Sequence, residues 1–167
     1  MLTHTLRMDR EAEPSGRSIA YSRSTTSRLM DLLDSNRQGN VHGGVIMRMV
    51  DEAAAIVAIK HSGRQVVTAR VDRFDFWKPA YLGDVVSIEC WMEYVGRTSM
   101  EVGVKVVAEE PASREVRDVA SSRVIYVAID ETGHPTPVPP LVAASPDEEQ
   151  IIAAARARRD QTETPRE

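Results

Sequence analysis

The chain has 167 residues, a formal net charge of −4 and 42% hydrophobic residues, enough to bury the core of one domain without disulfide or metal support. Its lysines and arginines are scattered rather than clustered, which argues against a surface that binds DNA or RNA. Cys90 is the single cysteine, and no Cys/His set has the spacing of a zinc site. We therefore predict no metal and a reducing, cytoplasmic location.

Neither a membrane span nor a secretory signal is predicted. The longest apolar run contains Arg48, Asp51 and Glu52, so it is too short and too charged to cross a bilayer. Residues 1–24 are rich in Arg and Ser but lack the apolar stretch of a secretory signal. We predict a protein without a membrane partner, in which residues 1–24 form a flexible N-terminal tail.

A short strand and a long buried helix are predicted first. Residues 26–33 favour a strand, and a polar loop follows them. Residues 44–61 are rich in Ala, Ile, Val and Met and contain no Gly or Pro after the start, which predicts a helix buried on most sides. Gly63 follows shortly afterwards, where a glycine suits the C-terminal cap of that helix.

Two long antiparallel strands are predicted beyond the helix. Residues 84–95 and 98–109 each alternate between apolar and polar positions, as strands with one buried face do. Gly96 and Arg97 separate the two runs and predict a tight hairpin turn.

Two further strands complete the predicted sheet, at residues 66–77 and 116–129. The charged residues within 70–75 interrupt the alternation of the first, so we expect a bulge or a subunit contact there. A strand, a buried helix and four antiparallel strands predict an α+β domain over residues 25–130. In this domain, a curved sheet of about five strands wraps a long central helix.

The C-terminal part is predicted to hold a linker, a helix and a tail. Residues 131–144 are Pro-rich and favour a stiff, extended linker. Ser145 is a suitable N-cap, and Glu148 completes a capping box, which predicts a mostly solvated helix at 145–160. Residues 161–167 are predicted to be a tail.

Four stretches of the chain resemble the hot-dog-fold acyl-CoA thioesterases. They are GNVHGG, VIMRMVDEAAAIVAIKH, VVTARVDRFDFWKPAYLGDVV and YVGRTSMEV, which begin at residues 39, 45, 66 and 94. The resemblance is to the acyl-CoA hydrolase group, which includes bacterial single-domain enzymes and brain-type double hot-dog enzymes. It implies a hot-dog fold and the hydrolysis of acyl-CoA to a fatty acid and coenzyme A, with no cofactor beyond the substrate itself.

The resemblance also implies an assembly. Such enzymes form homodimers, often joined as trimers of dimers, with active sites at the dimer interface. In the double-domain relatives one repeat supplies an asparagine and the other an aspartate. Carried over to this chain, the resemblance implies composite sites that combine Asn40 of one subunit with Asp51 of the other.

The chemistry of a thioesterase suits the start of the predicted helix. Gly43 and Gly44 leave backbone N–H groups open to a thioester oxygen at the positive end of the helix dipole, so we expect them to stabilise an oxyanion. Asp51 is expected to act as a general base toward water or as a nucleophile. The structural alternative for Asp51 is an ion pair with Arg70 or Arg73 at the subunit interface.

The remaining candidate residues surround this centre. Asn40 would orient water or the thioester carbonyl, although an Asn beside Gly is also a common turn residue. We assign His42 a shaping role in substrate binding. The phosphates of coenzyme A would meet cations and hydroxyls, and the candidates are Arg97, Thr98, Ser99 and Lys78, although exposed basic residues are often merely solvated.

Two other functions are compatible with the same fold. A hot-dog dehydratase or hydratase acting on acyl thioesters usually relies on a catalytic histidine, and His42 lies outside the helix body. A non-catalytic module that binds acyl-CoA would keep the cleft near Arg97 but would not need Asp51. The carboxylate within an alanine-rich helical stripe favours the thioesterase.

Overall fold

The sheet and its central helix are the main features of the computed structural model, which describes residues 16–162. The helices are α1 (Ile19–Ser22), α2 (Gly43–Ser62) and α3 (Pro146–Thr162), with a 3-10 turn at Leu32–Asp34. The strands are β1 (Ser24–Leu29), β2 (Gln65–Phe76), β3 (Val85–Val95), β4 (Ser99–Glu109) and β5 (Val116–Ile129). They form one antiparallel sheet in the order β1-β3-β4-β5-β2.

The core lies between one face of this sheet and α2, which contacts all five strands. The apolar positions predicted from alternation point inward, and Ile88, Val106 and Val124 are fully buried. Burying each such side chain stabilises the fold by about 1.5–3 kcal/mol. The α+β prediction of a central helix and five strands is confirmed, and the arrangement is the one that the resemblance implies.

Both ends of α2 are capped, and the C-terminal cap is the predicted one. His42 is the N-cap, and its side chain accepts a hydrogen bond from the Gly44 N–H. Gly63 is the C-cap and has a φ of 66°, a left-handed conformation that glycine adopts without a steric cost. The predicted helix, 44–61, differs from the observed one by a single residue at each end.

The strand predictions hold with two adjustments. The first strand is Ser24–Leu29 rather than 26–33, because the last residues of that run form the 3-10 turn. The turn between β3 and β4 also includes Thr98, and the Gly96 N–H donates to the Ser99 carbonyl at 2.8 Å. The predicted irregularity of β2 is confirmed, since its register with β5 shifts between Thr68 and Arg70 and again between Asp72 and Asp75.

The segments predicted as a tail and a linker are docked where the structure describes them. Residues 1–15 lie outside the described part, but 16–24 are not a loose tail, since Ile19 is buried. The Arg17 N–H donates to the Pro140 carbonyl, and the Val142 N–H donates to the Arg17 carbonyl. The Pro-rich segment is therefore attached to the domain, and it begins with a turn at residues 131–133.

Helix α3 packs on the outer face of the sheet through Ile152 and Ala155, which are both buried. Ser145 caps the Glu148 N–H, as predicted, while the Glu148 side chain accepts hydrogen bonds from the N–H groups of Ala144 and Ala20. Most of the other α3 side chains are exposed, as expected. Among residues 16–162, none of the helices combines the length and apolarity needed to span a membrane.

Candidate active site

A pocket of about 310 Å³ opens beside the N-terminus of α2. Five elements line it: the loop before α2, the first turn of α2, the end of β2, the loop that follows β2, and β5. The polar lining groups are Asn36, Asn40, Gly43 and Lys78, and the apolar ones are Val41, Ile46, Phe76, Trp77, Pro79, Ala80 and Val119. Of the predicted site residues, the structure therefore brings Asn40, Gly43 and Lys78 together here.

Asn36 is a polar residue of this pocket that sequence reasoning missed. Its Oδ1 accepts hydrogen bonds from the Gln38 and Asn40 N–H groups, at 2.8 and 3.1 Å, so it forms an Asx turn. Because Oδ1 is occupied by the turn, the amide nitrogen is the group of Asn36 that can serve a ligand. The polar run before GNVHGG carried no periodic signal that would separate Asn36 from ordinary loop residues.

The two glycines at the start of α2 have different surroundings. The Gly44 N–H donates to His42 Nδ1 at 2.9 Å, and a Cβ at Gly44 would lie only 3.0 Å from that nitrogen, so the glycine makes room for the cap. Within residues 16–162 no acceptor receives the Gly43 N–H. Of the two predicted oxyanion donors, only Gly43 presents an unused N–H to the pocket, and His42 is the helix cap.

A buried ion pair holds the loop that forms one wall of the pocket. Asp84 accepts hydrogen bonds from Arg117 at 2.5 Å and from the Tyr81 N–H at 2.7 Å. The Ala80 carbonyl in that loop accepts the Val41 N–H at 2.9 Å, next to Asn40. The pair therefore connects β5 to the segment that carries the pocket residues.

Asp51 occupies a second polar centre, farther along α2. It is half-buried, and its Oδ1 accepts hydrogen bonds from Thr68 Oγ1 at 2.8 Å and Tyr126 Oη at 3.1 Å. Thr68 and Tyr126 are register partners on β2 and β5. Burial raises the pKa of the Tyr126 phenol, and the Asp51 charge raises it further, so this group is a hydrogen-bond donor at neutral pH.

Among the described residues of one chain, the ion pair considered as the structural alternative for Asp51 does not form. Arg73 pairs with Asp75 at 2.8 Å, and Arg70 lies 3.9 Å from Asp72, so neither arginine is paired with Asp51. The partners of Asp51 are hydroxyl groups instead. Hydroxyls orient a carboxylate without neutralising its charge, which leaves it able to accept a proton.

The neighbouring carboxylate on the same helix behaves as expected of a surface residue. Glu52 accepts from Arg48 at 2.9 Å, and both side chains are largely exposed. Their spacing of four residues places the two side chains on the same face of the helix, where such a pair forms. Thr68 and Tyr126 were missed, because their relation to Asp51 depends on the pairing of distant strands.

The two centres are separate within one chain. Asp51 lies eight residues after Gly43, which corresponds to about 12 Å along the helix axis. The turn with Arg97, Thr98 and Ser99 lies at the opposite end of the sheet from the pocket, roughly 30 Å away along β4. One chain alone therefore does not unite all of the predicted site residues.

Among residues 16–162, no group of three or more His, Cys, Asp or Glu side chains is arranged to hold a metal ion. Cys90 is buried, and burial raises the pKa of its thiol to about 12. This cysteine is therefore a core residue rather than a nucleophile.

Comparison with known proteins relates this geometry to a family. Residues 38–114 match the model of the Thioesterase superfamily. An uncharacterized acyl-CoA thioester hydrolase of Bacillus subtilis (strain 168), YkhA, is 40% identical over 74% of this chain and 71% of its own length. The cytosolic acyl coenzyme A thioester hydrolase of Rattus norvegicus is 35% identical over 87% of this chain, which spans only 39% of that longer protein.

Solved structures agree with these sequence matches. An apo-hexameric acyl-CoA thioesterase superposes with a TM-score of 0.83 and 33% identity, over 92% of this chain and 100% of the other. An acyl-CoA hydrolase from Staphylococcus aureus, in complex with butyryl coenzyme A, coenzyme A and coenzyme A disulfide, superposes with a TM-score of 0.80 and 33% identity. The superposition covers 87% of this chain and 89% of the other.

Variants of the Staphylococcus aureus hydrolase have also been solved, with alanine in place of an aspartate, an asparagine or a threonine. In that protein the aspartate follows the asparagine by fifteen positions and precedes the threonine by seventeen. The identity and coverage of these relatives, together with the shared fold, place this chain in the acyl-CoA thioester hydrolase group of the Thioesterase superfamily.

Proposed function

We propose that this protein hydrolyses acyl-CoA thioesters, with Asp51 as the reacting carboxylate. The observation that carries the proposal is the environment of Asp51: a half-buried carboxylate in an alanine-rich stripe of α2, held by two hydroxyl groups rather than by a cation. Partly burying a carboxylate without a cationic partner costs folding free energy, so its presence here points to a functional role. Besides acyl-CoA, the proposed reaction needs only water.

The asparagine of the site is assigned to Asn36 rather than to Asn40. Asp51 follows Asn36 by fifteen positions and precedes Thr68 by seventeen, the spacing found in the Staphylococcus aureus hydrolase. The Asx turn also leaves the amide nitrogen of Asn36 available toward the pocket. Asn40 forms part of the pocket wall beside it.

The working site is composed from two subunits. Strand β2 lies at an edge of the sheet, and exposed apolar side chains flank it on β2 and α2: Val67, Val71, Phe76, Met47 and Ile59. Antiparallel pairing of two β2 strands across a two-fold axis would cover this surface. It would bring the Gly43 end of one subunit to the Thr68 region of the other.

The chemistry follows from that arrangement. Asp51 removes a proton from water, whose oxygen attacks the thioester carbon, while the Gly43 N–H and the Asn36 amide nitrogen stabilise the oxyanion. The carbon–sulfur bond then breaks, and the coenzyme A thiolate recovers the proton from Asp51. Direct attack by the carboxylate, followed by hydrolysis of the anhydride, is the other route for the same residue.

Coenzyme A would lie across the mouth of the composite site. Lys78 is exposed at the rim of the pocket. The turn with Arg97, Thr98 and Ser99 lies at the other end of the sheet, and the second subunit would bring its own copy of this turn near the pocket. Gly44 contributes by admitting the His42 cap that holds the first turn of α2. We further propose a trimer of such dimers, which would have six subunits like the hexameric relative, and a cytoplasmic location, as for the cytosolic one.

Thiol release from a panel of acyl-CoAs tests the function. The wild-type protein is expected to release free thiol, and Asp51→Ala is expected to reduce kcat by at least about a hundredfold. Glu52→Ala is the matched control, since it removes the adjacent, exposed carboxylate of the same helix. Its kcat is expected to stay within about twofold of wild type.

The same panel separates the alternatives. Binding of acyl-CoA without thiol release would identify a binding module, and addition of water to an unsaturated acyl chain without thiol release would identify a hydratase. Full thiol release by Asp51→Ala would show that another group performs the hydrolysis. In each of these cases the proposal is wrong.

A further inference from the structure

The hydroxyl of Tyr126 takes no part in the proposed bond-forming and bond-breaking steps, yet it contacts Asp51 twice. We propose that Tyr126 is a positioning residue that, with Thr68, holds Oδ1 of Asp51, so that Oδ2 is the oxygen that reacts. The inference rests on the proposed function of Asp51 and adds which carboxylate oxygen acts and what orients it.

The two oxygens of the Asp51 carboxylate have unequal surroundings. Oδ1 accepts from Thr68 Oγ1 at 2.8 Å and from Tyr126 Oη at 3.1 Å. Among residues 16–162, no donor reaches Oδ2. An oxygen with two donors is the less available of the pair, so a proton or a carbonyl carbon is directed to Oδ2.

The strands determine this orientation. Thr68 on β2 and Tyr126 on β5 are directly paired, so their side chains lie on the same face of the sheet, beneath α2. Tyr126 is 1% exposed, and its ring is held by the core. Two hydroxyls from neighbouring strands therefore fix the rotation of a side chain on the helix above them.

Tyr126 has a second acceptor on the same residue, the Asp51 backbone carbonyl, at 2.8 Å. A phenol has one proton, so it can serve either the carboxylate or the carbonyl as the charge on the carboxylate changes. When Oδ2 takes a proton from water, the tyrosine can turn its own proton to the carbonyl without losing a hydrogen bond. Tyr126 thus orients the carboxylate without opposing its protonation.

Steady-state kinetics of Tyr126→Phe with a preferred acyl-CoA test the inference. Phenylalanine keeps the buried ring and removes only the hydroxyl, so we expect kcat to fall about tenfold, while KM stays within about twofold. Thr68→Val, which removes the other donor at nearly equal volume, is also expected to lower kcat. Tyr21→Phe is the matched control, because Tyr21 is 54% exposed and lies outside the site. We expect it to leave both constants unchanged.

Three results would overturn the inference. The first is an unchanged kcat in Tyr126→Phe, and the second is a loss of kcat/KM that comes entirely from a raised KM. The third is a loss of kcat matched by a drop in the melting temperature that indicates a damaged core. These outcomes differ from a failure of the proposed function, which Asp51→Ala reports independently. If Asp51→Ala is inactive and Tyr126→Phe is fully active, Asp51 reacts but Tyr126 does not position it.

Discussion

At the scale of single residues, the loop before α2 shows how backbone hydrogen bonds select the atoms that remain for chemistry. Oδ1 of Asn36 is used by an Asx turn and the Gly44 N–H by the His42 cap. The Asn36 amide nitrogen and the Gly43 N–H remain, and both groups belong to residues that line the pocket. Polar groups that local structure leaves unused are the ones available to a substrate.

His61 is a second residue whose surroundings decide its behaviour. Its Nε2 donates to the Pro139 carbonyl at 3.1 Å, and its Nδ1 is buried without a partner among the described residues. Burial lowers the pKa of His61, and the Arg17 charge lowers it further, against the effect of the bond to Pro139. The imidazole is therefore neutral in the folded protein, and it joins α2 to the Pro-rich segment.

We predict that acid destabilises the fold through His61. Because the pKa of His61 is lower in the folded state, the unfolded chain binds the proton first as the pH falls. The contribution of neutral His61 to the free energy of unfolding is therefore complete above about pH 6.5 and is lost as the pH falls below that value. Urea unfolding at pH 7.5 and pH 5.5 measures this change. His61→Gln, which keeps a donor for Pro139, should show a smaller fall in the free energy of unfolding. An equal fall would assign the pH dependence to other groups.

At the scale of elements, the connection between β2 and β3 depends on one buried ion pair. The Asp84 and Arg117 side chains are 3% and 10% exposed, and Arg117 also stacks on the Tyr81 ring at 5.0 Å. Asp84 additionally accepts the Tyr81 N–H, so one carboxylate organises the turn. The loop in turn contributes Lys78 and Ala80 to the pocket.

We predict that Arg117→Met lowers the free energy of unfolding by about 3–5 kcal/mol, because it leaves the Asp84 carboxylate buried without its cation. Denaturant unfolding measures the change. Arg114→Met is the matched control, since Arg114 pairs with Glu109 at the surface with 81% of its side chain exposed. It should change stability by less than about 1 kcal/mol. Similar losses of stability in the two variants would contradict the conclusion that burial makes the Asp84–Arg117 pair more important than a surface pair.

At the scale of the whole molecule, the apolar edge along β2 explains why two polar centres lie apart in one chain. Val71 on β2 and Met47 on α2 are 45% and 44% exposed, which is unusual for side chains flanking a candidate catalytic residue. An interface there would bury them and unite the pocket of one subunit with the Asp51 of the other. Assembly and activity are then coupled.

We predict that two inactive variants restore activity to each other. A dimer of one Asn36→Ala chain and one Asp51→Ala chain contains one intact composite site and one doubly altered site. Heterodimers purified by two affinity tags should regain about half of the wild-type kcat per dimer, since one of the two sites is whole. Each variant dimer alone is the control. Heterodimers without activity would place both residues in the site of a single subunit.

The sequence by itself determined the elements of this protein, because the signals for them are local. Alternation placed β3 and β4, an uninterrupted apolar run placed α2, and Ser145 with Pro146 placed the start of α3. The motif GNVHGG indicated the family, which the relatives confirm, whereas Asp51 as the reacting group stays a prediction. Sequence reasoning selected Asn40, and the spacing to Asp51 and Thr68 is what favours Asn36.

Only the tertiary structure decided which distant residues meet. Tyr126 is 75 residues from Asp51, and their contact depends on the register of β2 with β5. Alternation along the sequence puts Glu93 and Glu101 on the polar face of their strands. Both are nevertheless buried beneath α3, where Arg158 donates to them. Spacing along a chain reports neighbours within one helix or strand, whereas contacts between elements arise only when those elements pack against one another.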